Sequence, residues 1–96
     1  MLSPAERKAL KAKAHKLEPV VLIGAKGLTD EVVKEVDLAL KAHELIKVRA
    51  ASLERDAREE AMPALCQRTG AQAVQSIGKV LVLYRKRTEE EPRKRP

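Results

Sequence analysis

The apolar residues of this chain come only in short runs, of which Val20-Val21-Leu22-Ile23 and the Val80–Tyr84 segment are the most continuous. Runs of that length suit β-strands, and they fall far short of the ~18 residues that a membrane-spanning helix requires. Short strands must find partners, and a chain of 96 residues has little material for them. At this size folding buries only about 60–65% of the surface that the extended chain exposes. One core, and so one domain over residues 1–86, is expected. The first sixteen residues carry charges every few positions and no apolar stretch, so no signal peptide is expected there. The single cysteine, Cys66, excludes an intramolecular disulfide and a multi-cysteine zinc site, and it suits a reducing, cytoplasmic compartment.

Ser3-Pro4-Ala5-Glu6 has the pattern of a capping box with proline at the first helical position, predicting a helix to about Lys16. Leu10, Ala14 and Leu17 form its apolar stripe, while Arg7, Lys8, Lys11 and His15 fall on one adjoining basic arc. Pro19 ends this segment. Val20–Ile23, with three β-branched residues, reads as a strand buried on both faces or a central one. Gly24-Ala25-Lys26-Gly27 breaks that strand, and Thr29-Asp30-Glu31 caps a second helix ending near His43. Its face carries Val32, Val36, Ala39, Leu40 and His43. Residues 45–51 alternate, with Ile46, Val48 and Ala50 on one side and Lys47 and Arg49 on a solvated side. Asp56 and Glu59 suggest a cap for a third helix running to Thr69, with Gly70 as its stop. Pro63 inside that stretch predicts a kink or a later start. Residues 73–77 and 80–84 read as strands joined by a Gly78-Lys79 hairpin turn. The order is α-β-α-β-α-β-β, an α/β (α+β) chain with a mixed sheet. Residues after Tyr84 carry no apolar side chain, and 87–96 are expected to be a disordered tail.

The net charge of +6 is unevenly placed. Residues 1–27 hold six Lys/Arg against Glu6 and Glu18, residues 28–84 hold eight against nine acids, and 85–96 hold six against three. A clustered basic excess is attracted to polyanions, nucleic acid above all. Tyr84 is the only aromatic residue, which argues against readers that stack bases on several rings.

The Gly24–Gly27 loop joins a strand end to a helix start, where glycine permits close approach and a helix N-terminus favours phosphate. As a motif it is weak, being neither a P-loop nor a dinucleotide fingerprint, and taken alone it favours an ordinary strand-to-helix turn. Chemistry is poorly supported elsewhere. His43 is expected to be a buried or half-buried structural histidine, and Cys66 a small packing residue. A Cys66–His43 nucleophile pair would place both residues mid-element on apolar faces rather than at a cleft. No cofactor or metal is expected, the candidate ligands being too few.

Four ordered stretches share a pattern. They are Leu17-x-Pro19-Val20-Val21-Leu22-Ile23-Gly24-x-x-Gly27-Leu28-Thr29, then His43-Glu44-Leu45-Ile46-Lys47-Val48, then Thr69-Gly70-Ala71, and last Ile77-Gly78-Lys79-x-Leu81-Val82-Leu83-Tyr84-Arg85. With these the chain resembles the CRM domain (chloroplast RNA splicing and ribosome maturation) in its stand-alone bacterial YhbY-type form, over about residues 2–85. The resemblance implies a two-layer fold like the C-terminal domain of translation initiation factor three, with helices on one face of a four-stranded mixed sheet. It also implies RNA binding, with ribosomal RNA in precursors of the large subunit as partner, through the loop at Gly24, Ala25, Lys26 and Gly27. Neighbouring basic residues, Arg7, Lys8, Lys11, Lys47, Arg49 and Arg85, complete the expected RNA-binding set. A monomer without membrane attachment is expected. The other classes the residues leave open are a small architectural DNA-binding protein and the Cys66–His43 enzyme.

Overall fold

A computed structural model describes residues 2–86. Helix α1 (Pro4–Ala14) starts as a capping box: the Glu6 amide donates to Ser3 Oγ at 3.1 Å, and the Ser3 amide donates to Glu6 Oε1 at 2.9 Å. Strand β1 (Val21–Leu22) leads through the glycine loop into α2 (Asp30–His43), where Thr29 Oγ1 accepts from the Val32 amide at 3.2 Å. Strand β2 (Leu45–Arg49), helix α3 (Arg55–Thr69), and strands β3 (Gln72–Ile77) and β4 (Val80–Tyr84) follow. The predicted element order and mixed sheet are both present. Spatially the strands run β1-β2-β4-β3, with β1 parallel to β2 and the other neighbours antiparallel.

This order decides which apolar run is central. It is β4, flanked on both sides, whose Leu81, Val82 and Leu83 are all buried. The expectation that Val20–Ile23 is buried on both faces is overturned: β1 is an edge, with Val21 and Ile23 inward and Leu22 65% exposed. Its pairing is extended by the Val20 amide on Lys47 O and the Ile23 amide on Arg49 O.

The layering also departs from two layers. Side chains of Ile46, Val48, Leu81 and Leu83 face α2 and α3 and form the larger core with Val36, Leu40 and Leu65. On the opposite face Leu45, Val82 and Val74 pack beneath Ala14 and Leu10 of α1. Helices therefore cover both faces, and α1 lies alone on its side. Val74 reaches that side through a β-bulge between Ala73 and Gln75.

Helix α3 runs unbroken through Pro63 and begins at Arg55, one residue before the expected cap; its N-cap is Glu54, without a side-chain cap bond. Pro63 is exposed, so the hydrogen bond it lacks lies on the wet side of the helix. The helix ends as expected on Gly70, at φ +76°. Residues 87–96, the expected tail, lie outside the described residues.

Candidate nucleic-acid interface

The Gly24–Gly27 loop is a tight turn closed by the Gly27 amide on Gly24 O at 3.0 Å, with Gly27 at φ +79°. Gly24, Ala25 and Lys26 are exposed. The start of α2 is less open to an anion than the sequence suggested. Asp30 and Glu31 already complement the dipole there, and Asp30 accepts from Arg68 at 2.8 Å. What the loop offers a phosphate is Lys26 and close backbone approach.

The sheet brings further cations to the same end. Leu22 aligns with Arg49, Arg49 with Val80, and Val80 with Ile77. The Ala50 amide donates to Lys79 O at 2.7 Å, fastening the hairpin turn beside the end of β2. Lys26, Arg49 and Lys79 thus share one end of the sheet, although they are scattered in sequence. Lys47 lies on the same face nearer α1; its Nζ donates to Leu17 O at 3.0 Å, and it shares a groove with Lys11 and His15. Arg7 and Lys8 are exposed farther along α1.

Folding sorts the charge into two sides. Residues 30–43 and 54–69, the α2–α3 layer, hold eight acids against five Lys/Arg. The α1 side holds the six Lys/Arg of residues 1–27 with Lys47, Arg49 and Lys79, against Glu6, Glu18 and Glu44, the last lining a groove with Leu10 and Lys13. The middle of the chain looks balanced only because its basic strand residues and its acidic helices are counted together. Lys79 was legible in sequence as a turn residue, not as part of this surface.

Arg85 does not belong to it. Its guanidinium donates to Asp37 Oδ1 at 2.6 Å, to Thr69 O at 2.8 Å and to Asp37 O at 3.3 Å, and the side chain is 17% exposed. That fork ties the end of β4 to α2 and to the last turn of α3. It also holds the Asp37 carboxyl below the ordinary carboxylate range, with Lys41 adding to the effect. Arg85, expected among the RNA contacts, is engaged here as a structural staple.

His43 is exposed rather than buried, opening onto a groove with Leu10, Leu17 and Tyr84. Cys66 packs half-buried against the larger core as expected, and burial pushes its thiol up. The two residues thus part company: His43, at the end of α2, opens toward α1, and Cys66, on α3, packs toward the sheet. Among the described residues no group of three or more His, Cys, Asp or Glu could hold a metal ion, and no helix is long and apolar enough to cross a membrane.

The family model for the CRS1/YhbY (CRM) domain matches residues 2–85. The chain belongs to that family. An RNA-binding protein of Haemophilus influenzae is 45% identical to this CRM domain over 84 residues, covering 88% of this chain and 85% of the relative. The Bacillus subtilis relative, named a probable RNA-binding protein, is 35% identical over 89 residues and 93% of each chain. The solution structure of a Staphylococcus aureus protein, described as a candidate RNA-binding protein, superposes with a TM-score of 0.81 at 32% identity, covering 94% of both chains. The mixed α+β fold is thus shared with a solved member of the same kind.

Proposed function

We propose that this CRM domain is a non-catalytic RNA-binding protein that acts as a cytoplasmic monomer on ribosomal RNA in precursors of the large subunit, assisting their assembly. The observation that carries the reading is the sorting of charge: one side gathers nine Lys/Arg around the glycine loop, α1 and the open sheet end, while the other is acidic. A polyanion is drawn to the first and turned away from the second. Family membership and the names of the relatives support RNA as that polyanion. Gly24, Ala25, Lys26 and Gly27 would approach the backbone, with Arg7, Lys8, Lys11, Lys47 and Arg49 supplying surrounding charge.

The test is sedimentation of cell extract at graded salt. The protein should travel with precursor large subunits at low salt and leave them as salt rises, because phosphate contacts release counterions. Lys26→Glu should weaken binding to structured RNA while changing stability by less than about 0.5 kcal/mol. A protein that stays at the top of the gradient at every salt concentration refutes the reading. Tighter binding to duplex DNA than to structured RNA at equal salt would favour the architectural DNA-binding role instead.

A further inference from the structure

Helix α1 covers only part of its sheet face. It crosses over Leu45, Val74 and Val82, and the row beyond them is less covered: Leu22, Arg49, Val80 and Ile77, one from each strand in register. Of these, Val80 is half-buried against the α1 cluster and the other three are exposed. At the usual spacing between neighbouring strands this row is about 14 Å long. Its two ends are apolar and wet, Leu22 being 65% and Ile77 52% exposed. Beside it, between the row and α1, runs a groove of ≈ 450 Å³ whose floor is Ile77, Val80 and Val82 and whose walls include Lys11, His15 and Lys47. An aliphatic floor within a cationic rim matches a ligand with flat apolar faces on an anionic strand.

We infer that this uncovered strip seats unpaired nucleotides of the bound RNA, bases against Ile77, Val80 and Leu22 and phosphates against Lys11, Lys47 and Arg49. The inference rests on the RNA-binding reading above and adds to it a second contact, distinct from the glycine loop, that selects unpaired over paired RNA. A duplex presents phosphates to the rim, but its bases are stacked and paired and cannot reach the floor. With no aromatic ring in the strip, the contact is apolar burial rather than ring stacking, so it tolerates any base.

The experiment compares two RNAs of equal length and phosphate number, one a fully paired hairpin and one with an internal unpaired segment of six mixed nucleotides. Wild type should prefer the second by about fivefold, the equivalent of ~1 kcal/mol of apolar burial. Ile77→Ser should abolish that preference without changing affinity or salt slope for the paired hairpin. A 4-thiouridine in the unpaired segment should crosslink wild type within residues 75–82, which decides the matter even if the variant folds poorly. Equal binding of both RNAs, an unchanged preference in Ile77→Ser, or crosslinks confined to α1 and the glycine loop would overturn the strip alone, as would a role for it in seating another protein, which leaves RNA preference untouched by the variant. Failure of wild type to bind either RNA would instead overturn the RNA-binding reading itself.

Discussion

Replacing Arg85 by Ala separates a staple from an RNA contact, because the two roles predict opposite results. The guanidinium donates to a carboxylate and to two carbonyl oxygens, Thr69 O at the end of α3 and Asp37 O in the middle of α2, from a largely buried position. Charged hydrogen bonds of this kind contribute roughly 1.5–3 kcal/mol, and loss of the donor leaves Thr69 O and Asp37 O without it. Asp37 is partly exposed and keeps Lys41 at 3.6 Å, so its carboxylate is partly compensated. A total loss of about 2–3 kcal/mol follows, and in a domain of this size each kcal/mol lowers Tm by roughly 4–8 °C. Arg85→Ala should therefore melt about 10–20 °C lower by circular dichroism. Arg85→Lys should recover only part of this, since an ammonium cannot bridge three acceptors as a planar fork does. RNA titrations well below both melting temperatures should show the wild-type salt slope. A variant that melts within about 2 °C of wild type while its slope falls by about 0.7, the loss of one phosphate contact, would refute the staple.

Asp37→Asn probes the same contact by pH. The lowered carboxyl contributes stability that is present above the unfolded value and is lost as pH falls through the folded one, so urea stability of the variant should be lower at pH 7 and flatter below about pH 4. Gly70→Ala should cost about 1–2 kcal/mol in urea denaturation, because φ is +76° although no atom lies within 4 Å of the added methyl, whereas Gly24→Ala, which is equally open and has no positive φ, should stay within about 0.5. Cys66 should alkylate more slowly than a free thiol at pH 7, since burial raises its pKa and half covers the sulfur, and Cys66→Ala should bind RNA like wild type. A rapid reaction that abolishes binding would reopen a functional role for the thiol.

Local signals in the sequence were strong where one short motif determines one local geometry. The capping box at Ser3, the Thr29 cap, the Gly70 stop and the Gly78-Lys79 hairpin all stand where their residues put them. What depends on strand order was not legible. Val20–Ile23 and Val80–Tyr84 are similar apolar runs, and only the placement of β4 between β2 and β3 makes one central and the other an edge. His43 keeps helical spacing with Val36 and Leu40, yet lies past the edge of the covered stripe. Arg85 stands among other basic residues in sequence, and nothing local reveals Asp37, 48 positions away, as its partner. The glycine loop was legible as a loop; the cations that gather near it from β2 and the hairpin were not, since register alone brings them there.

The two borders of the sheet differ from the flat rows of amides and carbonyls that invite a neighbouring chain. One border is β1, only two residues long, and the other is β3, bent by the bulge at Val74. Both are devices that spoil strand-to-strand templating. An anionic scaffold such as RNA raises the local concentration of a basic protein far above its bulk value, the circumstance in which sticky edges would seed fibres. With one border this short and the other bent by a bulge, copies crowded along one strand can sit side by side without their sheets merging.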